Sequence, residues 1–314
     1  MTGSLAPTPE ADDALLALLA RLKAADYFFV TPTPATHVLV RERAPASDAD
    51  LLRDVFGWVR PFQAGQMPND VLDLMRRAGL LVEEDGALKS AMRVSSLEGL
   101  LFLHSAPTRA HDAVFLGPDS YRFSRLLRQV LGAAPGFGCA LDIGTGAGVG
   151  ALQLQALAPG AEVHGSDINP AALRLAGLNA RHAGLPIRTV LASGLPAAPR
   201  TFDVIVANPP YIGGEVVKTY RDGGEDYGAA LGLDWVRASV GRLSPGGRFI
   251  LYTGAAVVRG RDVVRDALTV LCAEQNLKLD YEEIDPDVFG RTLRQSAYRD
   301  VERIAAVGAV LTEA

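Results

Sequence analysis

A short apolar segment followed at once by a glycine-rich turn most strongly constrains how this chain folds. Cys139–Ile143 has the composition of a buried strand, and Gly144, Gly146 and Gly148 follow it directly. Glycines at this spacing let the backbone turn sharply after a strand and approach a ligand closely. The pattern predicts the first strand and helix of a doubly wound α/β sheet, with a ligand at the carboxyl end of the strand.

The rest of the chain from about residue 115 alternates between strand-like and helix-like segments. The predicted strands are Cys139–Ile143, Glu162–Asp167, Ile187–Ala192, Asp203–Ala207 and Arg248–Tyr252, and the predicted helices are Gly148–Leu157, Pro170–His182, Ala230–Leu243 and Val263–Gln275. Such alternation is typical of a mostly parallel sheet. Two final strands, Leu277–Ile284 and Arg303–Val310, have no helix signal between them and predict an antiparallel edge. Together these segments predict a seven-stranded, Rossmann-like sheet.

Residues 1–110 predict a separate, smaller α+β domain ahead of a domain over residues 111–314. Helices are expected around Leu15–Leu22 and Asp50–Trp58, and from Pro68 to a stop at Gly79. Short strands are expected at Tyr27–Val30 and His37–Val40, and a hairpin at Leu80–Lys89 that turns at Asp85 and Gly86. A helix followed by a hairpin is the outline of a winged-helix unit.

The charge of this first part argues against nucleic acid as its partner. Residues 1–110 contain 11 Lys and Arg against 14 Asp and Glu, and the whole chain has a formal net charge of −5. A helix that binds in a nucleic-acid groove normally presents a basic face. The balance favours an accessory domain that docks a protein substrate or caps the active site.

Composition also excludes several kinds of site. Cys139 and Cys272 lie in apolar segments and are expected to be reduced thiols, which indicates a cytoplasmic protein. The five histidines are dispersed, with no ligand-like spacing, so no metal site is predicted. No apolar run reaches the length of a membrane span, and no signal-like segment opens the sequence.

Two aspartates stand at the ends of the first two predicted strands of the sheet. Asp142 comes just before the glycine turn, where its charge would repel a phosphate and attract the cationic amino group of a methionine-type cofactor. Asp167 closes the second strand, where a carboxylate can accept hydrogen bonds from both hydroxyls of a ribose. The glycine spacing also differs from the Gly-x-Gly-x-x-Gly of dinucleotide sites.

The tetrapeptide Asn208-Pro209-Pro210-Tyr211 follows the fourth strand directly. An asparagine side chain offers a carbonyl acceptor and an amide donor, so it can pair with a substrate amide or an aminopurine edge. Two prolines fix the backbone beside it. Tyr211 supplies a flat apolar face. We expect this tetrapeptide to hold a planar nitrogen and to carry the catalysis.

These motifs resemble those of class I S-adenosylmethionine-dependent methyltransferases. Within that class, residues 112–314 resemble the enzymes that methylate glutamine in peptide-chain release factors, whose signature is the Asn-Pro-Pro-Tyr tetrapeptide. The segment Phe115–Tyr121 is similar to the one that closes over the methionine end of the cofactor, and Ser193–Leu195 would lie beside the adenine. The resemblance implies that S-adenosylmethionine is bound by Asp142, Gly144, Thr145, Gly146, Gly148, Asp167, Ile168, Ser193, Gly194, Leu195, Asn208, Phe115 and Tyr121.

The resemblance also implies a reaction. The methyl group would pass to a planar nitrogen, whose N–H hydrogens are accepted by the Asn208 side chain and the Pro209 carbonyl while Tyr211 stacks on the planar group. A glutamine of a release-factor-like protein is the expected acceptor. A nucleic-acid base and a small molecule remain alternative acceptors, because related methyltransferases share similar tetrapeptides. The polar segment Lys218–Asp226 is expected to be either a lid over the acceptor or a solvated connection.

Overall fold

A computed structural model describes residues 8–43, 51–108, 110–132, 136–197, 200–211 and 225–313. The helices are α1 Pro9–Ala24, α2 Pro34–Arg41, α3 Leu51–Phe56, α4 Asn69–Arg77, α5 Pro118–Leu131, α6 Val149–Leu157, α7 Pro170–Ala183, α8 Glu225–Gly228, α9 Ala230–Val240 and α10 Val263–Gln275. The strands are β1 Leu81–Glu84, β2 Ala87–Ser90, β3 Met92–Leu97, β4 Leu100–Ser105, β5 Cys139–Ile143, β6 Glu162–Asp167, β7 Arg188–Leu191, β8 Phe202–Ala207, β9 Leu243–Val258, β10 Arg261–Asp262, β11 Leu277–Asp285 and β12 Arg303–Glu313.

The central sheet has the strand order β11-β12-β9-β8-β5-β6-β7, with the short β10 paired to β9. Strands β9, β8, β5, β6 and β7 run parallel to one another, and β12 runs antiparallel to both β9 and β11. The predicted Rossmann-like sheet of seven strands with an antiparallel edge is therefore confirmed. The order reverses direction at β5, so β6 lies on one side of β5 and β8 on the other. Ligands of open α/β sheets bind at such a reversal.

Capping signals explain why the helix after β6 begins where the sequence predicts. The Asn169 side chain accepts a hydrogen bond from the Ala171 amide, and Pro170 occupies the first helical position of α7. The helix ends at Gly184, which adopts the left-handed conformation at φ 68°. Asparagine, proline and glycine at these three positions favour a helix start and stop.

Neither of the two short strands predicted near the start of the chain, Tyr27–Val30 and His37–Val40, is a strand in the structure. His37–Val40 lies within helix α2, because the Thr33 hydroxyl accepts from the Thr36 amide and Pro34 sets the first helical turn. The capping pair outweighs the β-propensity of Val38 and Val40. Tyr27–Val30 is extended but forms no ladder of its own. It is held to β3 by bonds between the Phe29 backbone and Ser96.

The hairpin predicted at Leu80–Lys89 is confirmed as β1 and β2. A second hairpin, β3 with β4, follows it and was not predicted. This second hairpin packs on α7, where the Asn179 side chain accepts from the Leu103 amide and donates to the Leu103 carbonyl. The N-terminal elements share one continuous apolar cluster with α6 and α7. The described N-terminal elements thus pack against helices α6 and α7, which flank the glycine turn.

Candidate active site

The glycine turn after β5 adopts a backbone conformation that few other residues tolerate. Gly144, Gly146 and Gly148 have φ of 69°, 55° and 89°. In this left-handed region a side chain would be strained, which explains the three glycines. The Thr145 amide donates to the Ser166 carbonyl at 2.9 Å and so ties the turn to β6.

The side chain of Asp142 stabilises this turn by accepting two hydrogen bonds. The residue is 1% exposed, and its Oδ2 accepts from the Thr145 hydroxyl at 2.6 Å and from the Ala151 amide at 2.9 Å. Burial raises the pKa of Asp142 to about 7, and the two hydrogen bonds oppose that rise. The predicted contact with a cationic amino group is therefore corrected, because this carboxyl group faces the turn and the start of α6.

Asp167 lies at the tip of β6 beside the turn. Its Oδ2 accepts from the Gly146 amide at 2.9 Å and its Oδ1 from the Asn169 amide at 2.8 Å. The side chain is half-buried, and burial raises the pKa of Asp167. A carboxylate has about four acceptor positions. Two of them are engaged with the backbone, and the others remain able to accept from a ligand's hydroxyl groups.

The turn is open above Gly146. Among the described residues, and apart from its two chain neighbours, a Cβ atom placed on this glycine would have two atoms within 4 Å, the carbonyl oxygens of Gly144 at 3.9 Å and of Phe115 at 4.0 Å. Two carbonyl oxygens that converge on one space form an acceptor pair suited to a cation. The backbone of Phe115 therefore reaches the turn, and the residue as a whole is 41% exposed, while its contact with the cofactor stays a prediction.

The predicted adenine neighbours lie after β7. Gly194 is buried at φ 85°, and its carbonyl accepts from the Ser166 hydroxyl at 2.8 Å. Ser193 is exposed, and Leu195 is half-buried against the apolar cluster on this side of the sheet. Ile168, next to Asp167, is 57% exposed. An exposed isoleucine at a strand end is an apolar surface available to a ligand.

Trp235, on α9, is a site neighbour that the sequence did not indicate. A Cβ atom on Gly144 would lie 2.8 Å from Trp235 Cη2, and one on Gly194 would lie 3.2 Å from Trp235 Nε1. The indole therefore spans the two glycines. Only its place in the helix that follows the tetrapeptide could have pointed to the site.

Asn208 stands at the end of β8, half-buried. No hydrogen bond within the described part of the chain uses its side-chain amide. Pro209 is buried next to it and packs on α9, where a Cβ atom on Gly232 would lie 3.2 Å from Pro209 Cγ. The structure thus holds the backbone of the tetrapeptide firmly and leaves the polar group of Asn208 available.

Tyr211 occupies a place that differs from the prediction. It is 7% exposed, and its ring meets that of Phe289 edge-on at 5.5 Å. A Cβ atom on Gly254 would lie 2.2 Å from Tyr211 Cδ2, so the ring rests on the bare backbone of β9. A ring enclosed in this way anchors the end of the tetrapeptide. The prediction that it stacks on the acceptor is corrected by this burial.

A buried acid lies beside Tyr211. Asp119, on α5, is 4% exposed and accepts from the Tyr252 hydroxyl at 2.9 Å. Burial raises the pKa of Asp119, and the hydrogen bond from Tyr252 opposes that rise. Burial, and next the charge of Asp119, raise the pKa of Tyr211 well above its usual value, although the Tyr211 hydroxyl has no hydrogen-bond partner of normal geometry. The bond between Asp119 and Tyr252 links α5 to β9, the strand on which the Tyr211 ring rests.

Tyr121 faces the N-terminal elements. Its hydroxyl accepts from the Thr31 amide at 3.0 Å, and burial raises its pKa. The predicted contact of Tyr121 with the cofactor has no supporting neighbour at the glycine turn and stays a prediction. Its observed role is to join α5 to the segment before α2.

Other predicted features have simpler outcomes. Within the described ranges, no cluster of His, Cys, Asp and Glu could hold a metal ion, and no helix is long and apolar enough to cross a membrane. Cys139 and Cys272 are both free thiols. Residues 212–224 lie outside the described part, and with them most of the predicted lid Lys218–Asp226.

Comparison with known families matches the region that carries this geometry. Residues 108–254 match the family of the methyltransferase small domain. This region is a class I S-adenosylmethionine-dependent methyltransferase domain. The match begins just before α5 and ends within β9, so it includes the glycine turn, Asp167 and the tetrapeptide.

Relatives of the methyltransferase domain point to one group of enzymes. The chain is 36% identical to a release factor glutamine methyltransferase of Moorella thermoacetica over 51% of this chain and 59% of the relative. It is 33% identical to a ribosomal protein uL3 glutamine methyltransferase of Bradyrhizobium diazoefficiens, over 48% of this chain and 49% of the relative. The chain spans about half the length of the curated relatives it matches. The predicted resemblance to this group is confirmed.

The residues of the site fit the cofactor of the class. The space above Gly146, bordered by two carbonyl oxygens, admits a ligand that a side chain there would exclude. Asp167 retains acceptor capacity beside it, and its two backbone bonds fix its orientation. Oxygen acceptors are therefore present for both a cationic amino group and a ribose diol.

Proposed function

We propose that this chain transfers a methyl group from S-adenosylmethionine to the side-chain amide nitrogen of a glutamine in a protein. The observation that carries the proposal is Asn208, whose side-chain amide makes no hydrogen bond within the described part of the chain, while Pro209 beside it is buried against α9. The names of the relatives in both translation-related groups support a protein glutamine as the acceptor.

On the cofactor side, we assign Asp167 to the ribose hydroxyls and the carbonyls of Gly144 and Phe115 to the amino group. Asp142 acts through the turn, because its carboxyl group bonds to Thr145 and Ala151. The sulfonium supplies an already activated methyl group, so the protein needs mainly to align the acceptor.

On the acceptor side, Asn208 Oδ1 and the Pro209 carbonyl would accept the two N–H hydrogens of the glutamine amide. An amide nitrogen is a weak nucleophile because its lone pair is delocalised over the carbonyl. Two acceptors raise the electron density on that nitrogen and fix its direction of attack. With the amide held by Asn208 and Pro209, the bound cofactor would supply the methyl group: the N–C bond would form as the S–C bond broke, the electron pair of that bond would stay on sulfur, and one amide proton would leave to water.

Tyr211 and Asp119 position this clamp. Tyr211 holds the end of the tetrapeptide against Gly254 and Phe289, and the bond between Asp119 and Tyr252 connects β9, which carries Gly254, to α5. Helix α5 begins three residues after Phe115. The start of this helix therefore connects the residues that position the acceptor with those on the cofactor side. The cytoplasmic location and a release-factor-like partner remain predictions.

The chemistry of the product tests the proposal. Cell extract and purified enzyme are incubated with cofactor labelled in the methyl group, and the labelled product is digested with protease or nuclease. We expect protease-sensitive label that strong acid releases as methylamine, because acid hydrolyses a methylated carboxamide to methylamine and a carboxylic acid. Nuclease-sensitive label would support a nucleic-acid base instead, and label in the small-molecule fraction a small acceptor. Asn208→Ala serves as the control for methylation by contaminating enzymes.

A further inference from the structure

Trp235 lies where the cofactor's nucleoside is expected. Its indole reaches from the glycine turn after β5 to the loop after β7, because it is the nearest group to Cβ positions on both Gly144 and Gly194. Both glycines have positive φ, at 69° and 85°. The ring is half-buried, so part of it remains exposed at the carboxyl edge of the sheet.

The glycines under the indole are held by neighbouring strands. Ser166 of β6 donates to the Gly194 carbonyl, and its own carbonyl accepts from the Thr145 amide. The loops beneath the ring are therefore fixed on one buried serine. The flat indole rests on these two loops, and Asp167 follows Ser166 directly in the chain.

The surroundings of the indole suit a planar, mostly apolar ligand group. Leu195 is half-buried in the same apolar cluster that Trp235 packs against, and Ile168 is 57% exposed at the end of β6. Purine bases stack on indole rings, and such stacking contributes appreciably to binding. A ribose held by Asp167 would place its base within this apolar part of the edge.

We propose that Trp235 contacts the adenine base of S-adenosylmethionine and favours a purine nucleoside at this position. The inference rests on the proposed function and adds the residue that recognises the base. The opposite role would be that of a plug, in which the indole fills the base position and must leave before the cofactor binds. The two roles predict opposite effects of truncating the side chain.

The chain offers a direct reporter, because Trp58 and Trp235 are its only tryptophans. Trp58 lies in the N-terminal part, edge-on to Phe29 at 5.1 Å and stacked with His37 at 5.9 Å. In Trp58→Phe, emission therefore comes from Trp235 alone. We expect its emission to change on titration with S-adenosylhomocysteine and with adenosine, and to stay constant with methionine. In Trp235→Phe, the remaining emission should not respond.

Calorimetry with S-adenosylhomocysteine measures the contribution to affinity. Trp235→Ala should raise the Kd about tenfold to a hundredfold, and Trp235→Phe, which keeps a ring, only a few-fold. Thermal unfolding of each variant identifies any loss of fold, and Trp235→Phe keeps the test valid if Trp235→Ala is unstable. Trp58→Phe is the matched control and should bind as the wild type does.

The outcomes separate the inference from the proposed function. If the wild type binds S-adenosylhomocysteine while Trp235 emission is silent and the Kd of both Trp235 variants is unchanged, the inference is overturned and the function stands. Tighter binding by Trp235→Ala would likewise overturn it in favour of a plug. A wild type that binds no S-adenosylhomocysteine would overturn both.

Discussion

The cofactor end and the acceptor end of the candidate site are built by different means. At the cofactor end, side chains bond to backbone groups of the glycine turn and of the segments around it: Asp142 to Ala151, Asp167 to Gly146 and Ser166 to Gly194. At the acceptor end, apolar packing of Pro209 and Tyr211 fixes the backbone, and the polar group of Asn208 is left without a partner in the described part of the chain.

The difference follows from what each end must do. A cofactor of constant structure can be met by a surface whose polar groups are already oriented, because preorganised groups need no rearrangement at binding. An acceptor that arrives on another protein must find a free polar group at the surface. A substitution that disables one end of the site should therefore leave the function of the other end intact.

Asn208→Ala should have the largest effect. Loss of a preorganised polar contact to the reacting group typically costs about a hundredfold or more in kcat. Cofactor affinity should stay within a few-fold, because Asn208 lies at the end of β8 and Asp167 at the end of β6. Methyl transfer and calorimetry on the same preparation check this. Asn276→Gly, a change at an exposed helix end, is the matched control and should alter neither quantity.

Asp167→Ala should affect the other end. Hydrogen bonds to a charged group contribute roughly 1.5–3 kcal/mol, so the Kd for S-adenosylhomocysteine should rise about tenfold to a hundredfold. Asp167→Asn, which keeps one acceptor oxygen, should lose less. Asp234→Ala removes an exposed acid paired with Arg237 and serves as the control. Calorimetry that finds unchanged affinity in Asp167→Ala would remove the assignment of the ribose site.

Tyr211 distinguishes anchoring from stacking on the acceptor. Tyr211→Ala removes a buried ring and should lower the free energy of unfolding by about 3–5 kcal/mol, as large-to-small core changes do. Tyr211→Phe removes a hydroxyl without a normal partner and should change it by less than about 1 kcal/mol. Gly254→Ala should destabilise too, because its Cβ would lie 2.2 Å from the ring. Denaturant unfolding measures all three; a stable, inactive Tyr211→Ala would favour stacking instead.

Asp142 predicts a pH dependence. Its folded pKa of about 7 lies above the usual value of 3.8, so between these values the folded protein holds more protons than the unfolded chain. The stabilising contribution of the protonated carboxyl group is complete below about pH 4 and is lost as the pH rises through 7. Relative to the wild type, Asp142→Asn should gain stability over this range, with a slope of at most about 1.4 kcal/mol per pH unit. If the difference in stability between Asp142→Asn and the wild type did not change with pH, the raised pKa of a buried Asp142 carboxyl group would be contradicted.

Particular residues show why the sheet was predictable and parts of the site were not. Strand β6 and the glycines of the turn follow from local rules that can be read directly in the sequence. The same is true of Asn169, which caps helix α7. The orientation of Asp142 does not, because the Thr145 and Ala151 groups that fix it depend on the closed turn. Tyr211 was misassigned because the space for its ring is supplied by Gly254, 43 residues further along the chain.

The rate of methyl transfer at saturating cofactor tests the division between the two ends most directly. Asp167→Ala and Asn208→Ala are compared with the wild type as the S-adenosylmethionine concentration is raised to a hundred or more times the wild-type KM. We expect the rate of Asp167→Ala to recover towards the wild-type value, because binding is its defect, and that of Asn208→Ala to stay about a hundredfold low. Recovery of Asn208→Ala, or a persistent defect in Asp167→Ala, would contradict the account.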